Sequence, residues 1–562
     1  MENALTTQLK PVEESAAADS GDDGAPAGRR RLRTAVSRAL TALAGVLVLF
    51  ILLTPVTIRH ITPGAFARVP VEAVVGAGLL LVLPGRARKP VATLAGLALG
   101  LLIILKVLDL AFHETLARPF DPVLDWTFVS AGMEFTTSTL GRAGAIAVLI
   151  VIIVSVAAVL GLTTWSVLRL TRTLIRHRRA TAASVAVSAT AWIACAALGT
   201  QLVPGVPVAG MGATKLVLKR VPKVRASLLD DSTFAKAIRV DAFRTTPNDR
   251  LLRGLRGKDV VLTFVESYGR TVAGTPEVRA LADAGTRRLR AAGFASRSAF
   301  LTSPTAGGGS WLAHATLLSG LWVDNQQRYR KLVSSDRLTL NRAFQRAGWR
   351  SVAVMPGVVR AWPEASFFGY DKVYASRNLG YRGPRFGWSP MPDQYTLAQF
   401  QKLEHGPPGR APVMAEMPLL SSHAPWAPIP RMVGWNEVGD GSVYHAVHAA
   451  GEKQQDVWKD PDRVRAEYRR SIEYSLESLI SYVERYGDDK LVLIFLGDHQ
   501  PAPIATGGAA TRDVPITIVS RDPKVLGRVA ALNWQEGLLP GAGAPVWPMS
   551  SFRDRFLTAF AR

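Results

Sequence analysis

At 562 residues the chain is too long for one compact domain, and its single cysteine, Cys195, rules out an intrachain disulfide framework. A net charge of +23 raises the question of nucleic acid. The basic residues, however, are grouped between long apolar stretches and not spread over a polar surface, which excludes nucleic acid as the partner and points to a membrane.

In chain order, residues 1–28 are rich in Ala, Gly, Asp and Glu and are expected to be disordered, so residues 1–33 are assigned to a cytoplasmic tail. Residues 34–202 carry five candidate spans: 39–58, about 68–83 with Glu72 near its start, 90–112 with Lys106 and Asp109 inside, 143–168, and much of 180–214. The second is the weakest. Arg29, Arg30, Arg31, Arg33 and Arg38 precede span one; Arg86, Arg88 and Lys89 follow span two; and Arg169, Arg172, Arg176, Arg178 and Arg179 follow span four. Loops 60–67 and 113–142 are poorer in Lys and Arg, so the positive-inside rule places the N-terminus in the cytoplasm. Five crossings then put everything after about residue 203 outside. Lys106 and Asp109, three apart on a helix, are expected to neutralise each other inside the bundle. Residues 203–256 form a connector in which Lys215, Lys219, Arg220, Lys223 and Arg225 alternate with Leu216, Val217, Leu218 and Val221. That pattern fits an interfacial helix or a solvated basic linker.

From about residue 257 the pattern changes. Apolar runs at 260–265, 351–355, 413–420, 491–496 and 514–519 alternate with helical segments at 276–292, 338–347 and 461–486. Buried strands separated by helices predict an α/β domain over 257–562, with a mainly parallel sheet covered on both faces and chemistry at the carboxyl ends of its strands.

Three features lie at those ends. Glu266 ends the first run, His423 follows the third in SSHAPW, and Asp498 with His499 ends the fourth in LIFLGDHQP. Separately, Gly307, Gly308 and Gly309 lead into Ser310, which opens an apolar helical stretch, SWLAHATLLSG. A hydroxyl at such a turn meets the N–H groups and dipole of a helix N-terminus, where an anionic substrate is also stabilised. Carboxylate, hydroxyl, carboxylate and imidazole on loops at one sheet edge make an oxygen-rich ligand set for one divalent metal, with Mn, Zn or Mg all chemically suited. A metal beside a serine lowers its hydroxyl pKa and stabilises charge on a transferring group. The three glycines read as room for metal and phosphate to approach the backbone.

In order, VESYG, SWLAHATLLSG, GWRSVAV with FFGYDKVY, SSHAPW, and FLGDHQP with VPITIVS resemble the sulfatase-like branch of the alkaline phosphatase superfamily. With spans ahead of the domain, the chain is similar to lipoteichoic acid synthases and membrane phosphoethanolamine transferases. In sulfatases the nucleophile is followed by Pro at the second position, Arg at the fourth and Thr-Gly at the ninth and tenth. Ser310 takes the nucleophile position with Ser319 and Gly320 at the end, while Leu312 and His314 replace the Pro and Arg. The resemblance therefore implies phosphoryl chemistry by an unmodified serine before sulfate ester hydrolysis. Thr305 is the rival hydroxyl, but its spacing from Ser319 and Gly320 is wrong.

The resemblance further implies that Glu266, Ser310, Asp498 and His499 hold one metal, Mn first, with Zn or Mg as alternatives. It makes His423 a substrate-phosphate contact or proton carrier, and Arg360, Trp362 and His314 substrate-binding residues. His445 and His448 suit a surface pair better than a second metal, and Ser475 stands where relatives carry an aspartate. The implied function is a membrane-anchored, multi-pass, metal-dependent phosphotransferase or phosphodiesterase acting outside the membrane on a phospholipid or envelope glycopolymer through a phosphoserine. The alternatives are a sulfuric ester hydrolase and a catalytically silent headgroup-binding or sensor domain.

Overall fold

The computed structural model describes residues 27–508 and 511–561. Residues 1–26, most of the expected tail, lie outside the described residues. The described chain divides into two units. One holds 63–103, 153–213 and the stretch up to Thr54; the other holds 55–62, 104–152 and 214 onward.

The expected apolar segments are helical. Among the described residues, four helices are long and apolar enough to cross a membrane: Arg31–Leu53, Gly85–Leu116, Leu140–Arg176 and Arg178–Leu198. The second expected span differs. It is a helix of 12 residues, Val71–Val82, about 18 Å long at 1.5 Å per residue and short of the roughly 30 Å of a bilayer core. Its limits are set by Pro70 at its N-cap and by the extended Leu83 ahead of Pro84. Counting that helix gives five crossings and omitting it gives four, and only the odd count puts residues after about 203 opposite the N-terminus.

In the second unit, the connector is helical from Gly212 to Arg239. Its Arg220 pairs with Asp109 and also donates to the Phe120 carbonyl. Asp109 is thus held by a connector arginine, which the i, i+3 spacing to Lys106 does not reveal.

The large sheet has strands β1 Asp259–Val265, β2 Ala295–Thr302, β3 Arg350–Met355, β4 Lys372–Ala375, β5 Val413–Leu419, β6 Leu491–Gly497, β7 Asp513–Ser520, β8 Gln535–Glu536 and β9 Val546–Pro548. Their order is β8-β2-β7-β6-β1-β5-β3-β4, with β9 beside β2. The block from β6 through β1, β5 and β3 to β4 is parallel, and β7 is antiparallel to β6 and β2. Along β1, Val260, Leu262 and Phe264 enter one core cluster while Val261 and Val265 enter the other. This alternation between two buried faces is what a doubly covered parallel sheet requires, and it explains why β1 reads as one apolar run. Each fully buried Leu or Phe contributes about 1.5–3 kcal/mol. The long helix Pro461–Tyr486, with Asp460 accepting from the Asp462 N–H and Pro461 at its first position, packs against the helix Pro276–Ala291 on one face. Strand β2 has no apolar run, because Ser296, Arg297 and Ser298 interrupt it, and it is held by pairing with β7 along its whole length.

Candidate active site

The central parallel strands β1 and β6 deliver their next residues to one place. Glu266 follows β1, and Asp498 and His499 follow β6. Ser310 is the first residue of the helix Ser310–Ser319, reached through Gly309 at φ 83°. A left-handed turn there costs little for glycine and lets the chain enter the helix abruptly. The Ser310 Oγ donates to Glu266 Oε2 at 3.0 Å and lies 3.2 Å from His499 Nε2. His499 Nε2 is 3.4 Å from Glu266 Oε1 and 3.6 Å from Asp498 Oδ2.

Burial and mutual repulsion drive the two carboxylates of the cluster apart in pKa. Burial pushes the Asp498 carboxyl up, to about 6, and repulsion from Glu266 adds to the rise. Glu266 falls to about 2, because attraction by His499 and then by His423 overcomes the upward push of burial. Burial opposes a charge on His499, yet Asp498 and Glu266 raise its pKa. Asp498 Oδ1 accepts the N–H groups of Ser267 and His499, each at 2.7 Å, while its buried Oδ2 has no hydrogen-bond partner. An orphaned buried carboxylate oxygen facing a second carboxylate and an imidazole fits a divalent cation. Glu266, Asp498 and His499 offer ligand atoms within 4.8 Å of one another. The Ser310 hydroxyl is the fourth oxygen or nitrogen donor beside them.

This cluster opens into a cavity of about 390 Å³ that is also lined by His314, Trp362, Glu416 and His423. The His423 ring stacks on Trp388 at 4.1 Å, and its Nδ1 is 2.6 Å from the Ala424 carbonyl. A carbonyl only accepts, so Nδ1 carries a proton and Nε2 is left for the cavity. The loop bearing His423 rests on Asp393, whose Oδ1 accepts the N–H groups of Leu420 and Ser421 and whose Oδ2 accepts the Ser475 hydroxyl at 2.6 Å. Ser475, in the place of an aspartate, is thus matched by a carboxylate from another element.

Of the residues singled out in the sequence, Glu266, Ser310, Asp498 and His499 come together, and His423, His314 and Trp362 line the same cavity. Arg360 is not among the cavity-lining residues, and the ring of Trp362 packs on Phe368 and Tyr370. His445 lies against the Arg382 carbonyl and His448 sits edge-on to Phe386, apart from the acidic cluster. Thr305 is buried, with no partner for its hydroxyl. All three glycines line the cavity beside Ser310, and Gly307 also meets a close approach of the chain. At Gly307, φ 74°, a Cβ would come within 1.8 Å of the Thr115 carbonyl, so the space beside it is filled by the C-terminal end of the Gly85–Leu116 helix. Glu416 and Asp393 escape sequence reasoning, since a lone acid inside an apolar run or ahead of a helix carries no motif.

Residues 258–514 match the sulfatase family model. No curated protein sequence matches the chain. Among solved structures the chain is similar to the lipoteichoic acid synthase LtaP from Listeria monocytogenes, at 13% identity over 59% of this chain and 78% of that one, TM-score 0.36. It is also similar to the Streptococcus pyogenes phosphoglycerol transferase GacH in complex with sn-glycerol-1-phosphate, at 12% identity over 59% and 91%, TM-score 0.34. A third is the periplasmic domain of EptC from Escherichia coli in complex with Zn, at 14% identity over 48% and 74%, TM-score 0.32. The stretch that matches the sulfatase family model runs from β1 to the start of β7 and carries the acidic cluster, Ser310 and His423.

Proposed function

We propose that the domain over 257–562 is a metal-dependent phosphotransferase or phosphodiesterase that acts on a lipid-borne phosphodiester through a phosphoserine at Ser310. The observation that carries this reading is the convergence of the Ser310 hydroxyl on Glu266 and His499, with the orphaned Asp498 oxygen behind them. Leu312 and His314, in place of the sulfatase Pro and Arg, favour phosphoryl over sulfuryl transfer.

Glu266, Ser310, Asp498 and His499 would hold the metal, with manganese the first choice. When bound, it supplies Lewis-acid stabilisation of charge on the transferring group. Ser310, whose hydroxyl proton passes to the Glu266 Oε2 that accepts it, attacks phosphorus from the helix N-terminus, whose N–H groups and dipole face the phosphoryl oxygens. The bond from phosphorus to the leaving alcohol breaks as His423 delivers a proton to that oxygen. In the second half, His423 takes a proton from water or an acceptor hydroxyl, the new oxygen attacks the phosphoserine, the P–Oγ bond breaks, and Ser310 takes its proton back from Glu266. Trp388 holds the His423 ring flat while the Ala424 carbonyl fixes its tautomer, so Nε2 is the atom that moves the proton.

The helical bundle, assigned to 34–202, keeps the domain near headgroups and raises their effective concentration. The substrate is then a membrane phospholipid or an envelope glycopolymer, and the domain faces the extracytoplasmic side. A Cys195→Ala, Lys524→Cys variant tests the orientation: Lys524 is exposed, and the new thiol should react with a membrane-impermeant maleimide in intact cells. Full-length protein in phospholipid vesicles with manganese should release diacylglycerol, and Ser310→Ala or a chelator should stop it. Release that persists in Ser310→Ala contradicts the assignment.

A further inference from the structure

Glu416 lies at the centre of strand β5, paired in register with Leu262 of β1 and Ala353 of β3, and is 1% exposed. A carboxylate in the middle of a central strand is costly to bury and persists where other groups use it. Asn341 Nδ2 donates to Glu416 Oε2 at 2.8 Å and the Tyr370 hydroxyl donates to the same oxygen. The other oxygen, Oε1, faces His314 Nδ1 at 3.3 Å. Among the described residues, His314 is the basic side chain paired with it.

His314 itself is held on two sides. Its ring lies flat on Phe264, with centroids 3.7 Å apart and planes 12° from parallel, so it cannot tilt. Its Nδ1 is the ring nitrogen beside Glu416, which leaves Nε2 as the ring's other polar atom, and both residues line the cavity that holds Ser310. Ser310 and His314 are four apart on one helix and therefore share a face, one turn from each other. The position is the one at which the sulfatase pattern has arginine. An arginine fork is ordered by its own planar geometry, whereas an imidazole on two torsions needs an outside partner to fix its direction.

We propose that Glu416 is a positioning residue that acts through His314, fixing the imidazole so that Nε2 contacts the phosphoryl oxygens of a group bound at Ser310. Asn341 and Tyr370 hold Glu416 in turn. The proposal rests on the phosphoryl-transfer reading for its role in turnover, but not for its effect on anion binding.

The test is a double-mutant cycle on the full-length protein in detergent with manganese, using Glu416→Gln, His314→Gln and the pair. Glutamine keeps the size and one acceptor oxygen, and thermal melting checks that each variant folds. Two readouts are taken: affinity for inorganic phosphate by calorimetry, and kcat and KM on bis(p-nitrophenyl) phosphate. Glu416→Gln should weaken phosphate binding and lower kcat/KM about 10–100-fold. In the His314→Gln background it should add less than about twofold, because its route of action is gone. Equal fold-losses from Glu416→Gln in both backgrounds, or a Glu416→Gln variant that binds phosphate like the parent, overturn the proposal. Wild-type protein that binds phosphate with the predicted coupling yet cleaves no diester would refute phosphoryl transfer and leave the positioning role standing.

Discussion

The two ends of strand β1 carry carboxylates in opposite circumstances. Asp259, at the start, is buried and takes both arms of Arg410, at 2.8 and 2.7 Å, together with the Val413 N–H. Nearby, at the start of β3, Arg350 pairs with Glu404 in the same two-armed way. Glu266, one residue past the other end, shares its site with Asp498 and has the His499 imidazole, in place of an arginine, as its neighbour. The two ends belong to one strand, with the same apolar core between them. At one edge each carboxylate is matched by an arginine, and at the other two carboxylates share one imidazole. A closed carboxylate–arginine pair holds structure, while an unbalanced cluster marks chemistry.

The largest effect that sharpens this contrast is on turnover. Ser310→Ala should lower kcat by about 10³-fold or more, measured on a soluble phosphodiester, with the fold intact by circular dichroism. Next comes stability. Arg410→Ala leaves Asp259 buried and unpaired and should destabilise the domain by about 3–5 kcal/mol in denaturant unfolding, without changing manganese binding by the folded protein. Asp498→Asn should do the reverse, removing manganese binding and stabilising the metal-free protein by about 2–3 kcal/mol at pH 7.5.

The pH dependence has opposite signs at the two edges. Asp498 in the metal-free fold is raised to about 6, so its contribution to stability is full below the unfolded carboxylate value near 4 and is lost as pH rises through about 6. Glu404 is lowered, since Arg350 and the Tyr374 hydroxyl outweigh the upward push of burial. Its contribution is present above the unfolded value and is lost as pH falls through the lowered one. Chelator-treated protein melted from pH 4 to 8 should therefore lose stability toward pH 7. Added manganese or Asp498→Asn should flatten that loss, and Glu404→Gln should leave it in place.

The smallest effect concerns the nucleophile loop. Gly307→Ala places a methyl on the Thr115 carbonyl at positive φ and should cost about 1–3 kcal/mol, with activity falling as the loop shifts. A parent-like melting temperature would show that this approach is loose.

The strands that form the middle of the sheet were legible because both their faces are buried, which makes β1, β5, β6 and β7 mainly apolar runs, with Glu416 as the one acid inside β5. Strand β2 was not, since Ser296, Arg297 and Ser298 break its run and its partner strand supplies the order. Glu266, Ser310, Asp498 and His499 could be named because each sits at the end of a readable element. Glu416 and Asp393 could not, because their partners are 102 and 82 positions away in His314 and Ser475, and only the folded chain brings such pairs together. The crossing count turned on Val71–Val82, where apolar composition alone conceals that the helix has only 12 residues.

The central claim is that Ser310 becomes phosphorylated. Full-length protein mixed with headgroup-labelled phospholipid, quenched in acid within one turnover and digested should give a labelled peptide whose added mass lies on Ser310. The mass identifies the group transferred. A label on Thr305, or none on protein that has released diacylglycerol, would contradict the account.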